Sequence, residues 1–120
     1  MLIGDYQTYV TGYGKRMLTV NYNIENGNIL SSFIRFEVIC FKDDILAIFK
    51  AVLMNDVPEV DITFNFNHLL VDAENTTITN VDLDEDVHCV VSTRDLYYAI
   101  LEWCEKYYEF EEQKNTDRNG

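Results

Sequence analysis

Within the first forty residues, stretches alternate between apolar and polar side chains with a period of two, the pattern of half-buried strands. Leu2 to Thr11 reads as a strand ending in Gly12-Tyr13-Gly14, and Leu18, Val20, Tyr22 and Ile24 then alternate with Thr19, Asn21 and Asn23. Asn26-Gly27 follows, a pair suited to the positive φ angles of a two-residue hairpin turn. Ile29 to Phe41 is therefore expected to pair antiparallel with the strand before it, with Leu30, Ile34, Phe36, Val38 and Cys40 facing the core and Ser31, Arg35 and Glu37 on the other side. From Asp43 the period changes. Ile45, Ile48, Phe49, Val52 and Leu53 fall on one helical stripe, Asp43 or Asp44 can cap its start, and Asn55 before Val57-Pro58 ends it, which predicts a helix over about residues 43–55.

The second half repeats the succession. Val60, Ile62, Phe64 and Phe66 alternate with Asp61, Thr63, Asn65 and Asn67, Ala73-Glu74-Asn75 reads as a turn, and Thr76 to Leu83 suits a returning strand. A short strand over Val87 to Val91 is followed by Ser92-Thr93-Arg94-Asp95, an approximate capping box. That box opens a helix over about residues 93–112, roughly 30 Å long, and the tail from about 113 is expected to fray. The expected architecture is a single α+β domain spanning residues 1–120. In it a single-layer antiparallel sheet of about four to six strands packs against two helices.

The last helix carries more apolar surface than one contact needs. Leu96, Ile100, Trp103, Tyr107 and Phe110 make a core stripe. A second stripe, Tyr97, Leu101, Cys104 and Tyr108, widens the apolar arc to about 200°, roughly twice what a surface helix requires. The sheet, the first helix, a partner protein or a second copy of the chain could cover it. Glu102, Glu105, Glu109 and Glu112 share the next face round.

Charge sharpens this picture. The chain has 120 residues and a formal net charge of −12. Residues 1–55 hold five acids and five bases, whereas residues 56–112 hold fifteen acids against only Arg94 and Lys106, a net −13. Such a balance disfavours direct binding to nucleic-acid phosphates or to an anionic membrane. There is no secretory signal and no apolar run near the roughly 18 residues of a membrane span, so a cytoplasmic location is expected. Cys40, Cys89 and Cys104 are odd in number and widely spaced, consistent with reduced, mostly buried thiols.

Candidate chemistry is sparse. Asp82-Leu83-Asp84-Glu85-Asp86 begins like a calcium loop but has Val87 and Thr93 where Gly and a bidentate Glu are needed. His68 and His88 are the only imidazoles, and His88 and Cys89, adjacent on a strand, point to opposite faces and cannot form a nucleophile–base pair. Gly12-Tyr13-Gly14-Lys15-Arg16 lacks the spacing of a phosphate loop. No catalytic residue, metal site or cofactor is therefore assigned.

What remains is a surface. The acids of the loop, Asp82, Asp84, Glu85 and Asp86, together with Tyr97, Leu101, Glu102, Glu105, Tyr108, Glu109 and Glu112 of the last helix, are expected to form one partner-binding face. In surface character this matches small acidic α+β proteins that plug a basic active site, as immunity proteins, antitoxins and phage-encoded inhibitors do. The expected partner is a basic protein, for example a nuclease toxin. The alternatives are self-association through the last helix, as an adaptor or assembly protein, and, further off, a small-ligand or metal-dependent enzyme.

Overall fold

The computed structural model describes residues 1–84 and 86–119. It shows an α+β fold with three helices and two antiparallel sheets. β1 (Gly4–Val10) and β2 (Arg16–Tyr22) form a hairpin, closed at its tip by Thr11 N–H donating to Lys15 O at 2.8 Å and registered from Gly4 opposite Tyr22 to Val10 opposite Arg16. Two helices follow, α1 (Gly27–Glu37) and α2 (Lys42–Leu53). Then β3 (Glu59–Thr63), β4 (Asn67–Asp72), β5 (Asn75–Asn80) and β6 (His88–Ser92) make a four-stranded meander in sequence order, and α3 (Thr93–Asn119) leaves β6 without a loop.

The segment after Asn26 differs most from the sequence expectation. Residues 27–37 are a helix and not the second arm of a hairpin. Ile29, Leu30, Phe33, Ile34, Glu37 and Val38 are buried, a run with helical spacing. Phe36, expected in the core, is 49% exposed, and Cys40, expected to be buried, lies at the surface between the two helices. Asn26 does adopt a left-handed conformation (φ 55°), but it serves to start the helix. Gly27 is required for space: a Cβ there would stand 2.1 Å from the carbonyl oxygen of Tyr22.

Other boundaries move by smaller steps. The run Val60–Phe66 is interrupted by a tight turn in which Phe64 N–H donates to Asn67 O at 2.9 Å, so Asn67 begins a new strand. Asp43 and Asp44 lie in the first turn of α2, where carboxylates complement the helix dipole, while Phe41 holds the cap position without a side-chain cap. Ser92 does cap α3, its Oγ accepting from Asp95 N–H at 3.3 Å. That helix continues past residue 112 to Asn119.

All three helices pack on one face of the large sheet. Leu69, Val71, Ile78, Cys89 and Val91 meet Ile29, Leu30, Phe33 and Ile34 of α1, Ile45, Phe49 and Val52 of α2, and Leu96, Ile100 and Trp103 of α3 in one core. Each such large side chain contributes about 1.5–3 kcal/mol by leaving water. α1 is sandwiched, touching β2 on one side and β4, β5 and β6 on the other. Among the described residues no helix covers the opposite face of the sheet, and residues such as Asp61, Leu70 and Val90 are exposed there.

One polar node fixes α3 to the sheet. Thr93, fully buried, donates its hydroxyl to Asp72 O at 2.6 Å and its N–H to Glu74 O at 3.0 Å, and meets the Thr76 hydroxyl at 2.8 Å. Asp72 Oδ1 in turn accepts from the N–H groups of Glu74 and Asn75 at 2.9 and 2.8 Å. Those two bonds hold the Asp72 carboxyl below the usual carboxylate range. The β4–β5 turn and the start of α3 therefore form one unit.

Candidate binding surface

α3 divides lengthwise into a buried and an exposed half. Leu96, Ala99, Ile100, Trp103, Cys104 and Phe110 are buried, and the Tyr6 ring of β1 stacks on Trp103 at 6.2 Å with an interplanar angle of 19°. Glu102 stands at the border, beside the buried hydroxyls of Tyr6 and Tyr22. Burial, with the added charge of Glu102, pushes the Tyr22 phenol up to about 12. Tyr6 is raised further by burial and by its neighbours Tyr22 and Glu102.

The exposed half alternates rings with carboxylates. Tyr98 (62% exposed), Leu101 (38%), Glu105, Tyr108 (48%) and Glu112 recur at alternating steps of three and four residues and so lie along one line of the helix. Glu102 and Glu109 border that line and are exposed as well. The second apolar stripe of the sequence is thus split. Cys104 is buried, Tyr97 is half-buried against the core with its ring 5.9 Å from Tyr98, and Leu101 and Tyr108 face solvent. α2 accounts for part of the cover: Lys42 Nζ sits 4.9 Å from the centre of the Tyr108 ring, a cation–π contact that orients the tyrosine. Tyr98 belongs to the surface but is absent from the sequence expectation. Its signal is the three-and-four spacing it shares with Leu101, Glu105 and Tyr108.

The acidic loop connects β5 to β6. Thr79 pairs with His88 at one end of the β5–β6 ladder, and Asn75 pairs with Ser92, next to the start of α3, at the other. Asp82, Asp84 and Asp86 follow the first end and are exposed, whereas Glu85 lies outside the described residues. Within the loop Asp82 N–H donates to Asn80 Oδ1 at 2.9 Å and Val87 N–H to Asp84 O at 2.9 Å, and at its start Val81 N–H donates to Phe66 O at 2.9 Å. Asp86 instead contributes to a groove of about 470 Å³ beside β6, together with Met1, Glu25, Asn26, His88 and Asp95. There the Met1 amine pairs with Asp95 at 3.4 Å, and Asn26 Nδ2 donates to His88 O at 2.8 Å. Asp86 of the loop and Asp95 at the start of α3 thus line the same groove.

Neither histidine is placed beside a thiol. His88 is exposed while Cys89 is buried on the other side of the strand, its Sγ 3.7 Å from Glu25 O. Cys104 is on the helical side of the sheet, away from the open face. Burial raises both buried thiols, an effect that Lys42 partly offsets at Cys104. His68, the second residue of β4, is half-exposed, with Nε2 2.5 Å from Asp61 Oδ1 on the neighbouring strand. Among the described residues no three His, Cys, Asp or Glu side chains converge to hold a metal ion, and no helix is long and apolar enough to cross a membrane.

Comparison with known proteins gives no likeness: no family model, no curated protein and no solved structure matches this chain.

Proposed function

We propose that the chain is a small acidic binding protein of the cytoplasm that inhibits or neutralises a basic protein, in the manner of an immunity protein, antitoxin or phage-encoded inhibitor, and that it acts by occupying a surface and not by catalysis. The observation that carries this reading is the exposed line of α3. Tyr98, Leu101 and Tyr108 stand between Glu102, Glu105, Glu109 and Glu112 on a helix whose other half is locked into the core. Rigid tyrosines are the anchors found at the centres of protein interfaces, and carboxylates around them complement a cleft built to hold phosphates, such as that of a nuclease toxin. The loop acids Asp82, Asp84, Glu85 and Asp86 then act at longer range, adding to the field that steers a cationic partner toward the molecule.

The test is a pull-down with the immobilised full chain from the cytoplasm of its source. A basic protein retained at low salt, released at high salt and no longer retained by Glu105→Lys with Glu109→Lys is the expected result. Retention that survives both high salt and the double reversal would remove the acidic face from the mechanism.

A further inference from the structure

The four-stranded sheet ends on β3, which pairs with β4 alone. The phase of that ladder is fixed at its turn, where Phe64 N–H donates to Asn67 O at 2.9 Å. In an antiparallel pair the backbone groups of successive residues point alternately toward the partner strand and away from it. Counting back from Phe64, Ile62 and Val60 bond to β4, so the N–H and C=O groups of Glu59, Asp61 and Thr63 point outward, at steps of roughly 7 Å. The same count carried across β4 and β5 turns His88 of β6 outward, and that edge the chain closes itself, with Asn26 Nδ2 donating to His88 O at 2.8 Å. Among the described residues no segment closes the β3 edge in this way.

The side chains along this edge follow the same alternation. Glu59, Asp61 and Thr63 are exposed on the open face of the sheet, while Val60 and Ile62 are half-buried against the core on the helix-covered face. Glu59 stands directly opposite Asp72 in the β3–β4 ladder. Two carboxylates set side by side on neighbouring strands oppose the pairing, and a cation placed next to them relieves that repulsion. The same acids discriminate against self-association, since full-length antiparallel pairing of β3 with a second β3 sets Asp61 directly against Asp61.

We infer that the β3 edge is a docking site for an extended segment of a basic protein, which joins the sheet as an antiparallel fifth strand with Lys or Arg at every second position. Three features select this occupant. Outward N–H and C=O groups at strand spacing are satisfied by another extended backbone and not by a helix, whose own groups are bonded internally. In the added strand, the residues that exchange both bonds with Glu59 and Asp61 carry their side chains on the same open face, so bases there stand directly beside the two carboxylates. The residues between them fall beside Val60 and Ile62, where apolar side chains extend the covered core. The recognised pattern is therefore alternately basic and apolar, and it matches an edge five residues long that Pro58 bounds at its start. This site is built on the sheet and does not depend on the docking proposed for α3.

The test is titration of the isotope-labelled full chain with the peptide Lys-Val-Lys-Val-Lys at about 0.15 M salt, where distant charges are screened, read by amide chemical shifts and hydrogen exchange. In the free chain the amides of Glu59, Asp61 and Thr63 should exchange fast and those of Val60 and Ile62 slowly. The peptide should shift and protect the first three saturably. Methylating its lysine backbone nitrogens, which keeps the charge and removes the donors, should weaken binding about tenfold or more, and glutamates in place of the lysines should abolish it. Thr63→Pro removes one outward N–H from the chain without changing its charge and should weaken binding by a similar factor, whereas Glu105→Lys with Glu109→Lys on α3 should change it less than about twofold. Should Thr63→Pro fail to fold, the methylated peptide carries the same distinction on the unmodified chain. Absence of saturable binding, shifts confined to α3 or to residues 80–87, or equal binding of the methylated peptide would overturn the inference. So would Glu59, Asp61 and Thr63 amides that become protected with rising chain concentration in the absence of peptide, since a second copy would then hold the edge. Each of these outcomes leaves capture of a basic protein by α3 standing, and loss of that capture leaves the edge in place.

Discussion

Tyr22 shows how far a single side chain couples the folded state to its surroundings. Its phenol is pushed up to about 12 from an ordinary 10.0, first by burial and then by Glu102. Below the lower value both folded and unfolded chains hold the proton, and the contribution to stability is complete. Between the two values the unfolded chain releases the proton first, so stability is lost as pH rises from about 10 to about 12. Chemical denaturation across that window should show the fall, and Tyr22→Phe, which keeps the ring, should make it shallower. It will not become flat, because Tyr6 is raised for the same reasons. Equal slopes for the two proteins would mean that the Tyr22 hydroxyl is hydrated. Residue types alone do not reveal this pair, since Tyr6 and Tyr22 come together only through the hairpin register, where Tyr6 is opposite Val20 and Tyr22 opposite Gly4. The same holds for Glu37 and Asn67, polar residues that alternation assigns to a wet face and the fold buries.

Secondary structure was legible wherever one periodicity stood alone. The hairpin strands, α2, the last strand and the start of α3 each show a single period, and the structure has an element at each. Residues 27–41 satisfy two. Even-numbered Leu30, Ile34, Phe36, Val38 and Cys40 suggest a strand, while Ile29, Leu30, Phe33, Ile34, Glu37 and Val38 make the stripe that is buried as a helix. The helical stripe was hidden because a carboxylate occupies one of its core positions and a phenylalanine an exposed one. Glu37 accepts from the N–H groups of Phe66 and Asn67, and Phe36 meets the Phe66 ring edge to face, so both exceptions are tied to the β3–β4 turn. Asn26-Gly27 points the same way, because the left-handed Asn that suits a two-residue turn stands here immediately before a helix. Gly27→Ala distinguishes the two roles by sign. In an ordinary helix the change stabilises by about 1 kcal/mol, but a Cβ standing 2.1 Å from the Tyr22 carbonyl oxygen should instead destabilise by about 1–3 kcal/mol. Equilibrium denaturation measures it, and a stabilised variant would show that the approach of the two backbones relaxes without loss.

Across the whole molecule, charge is segregated along the sequence, and part of its excess stands on α3 as an acidic, tyrosine-bearing surface. The acidic face was partly legible, since Glu102, Glu105, Glu109 and Glu112 are exposed as their spacing implies. How residues 82–86 stand to that face was not legible, because sequence gives the faces of a helix but not which loop the topology brings beside it; in the fold Asp86 shares a groove with Asp95 at the start of α3. A localised face and a merely acidic protein differ in one respect that charge reversal can read. Glu105→Lys with Glu109→Lys changes the net charge by as much as Asp5→Lys with Glu25→Lys, and all four side chains are exposed. Glu37, being buried, cannot serve as such a control. Fields from surface charges fade over about 10 Å at 0.1 M salt, so near physiological salt only groups close to the contact affect its rate. The α3 pair should therefore slow association with a captured basic partner about tenfold or more and flatten its salt dependence, and the Asp5 and Glu25 pair should change either only slightly. Stopped-flow association rates at several salt concentrations make the comparison. Equal slowing by both pairs would leave a global field as the source of affinity, and α3 would then carry no docking face of its own.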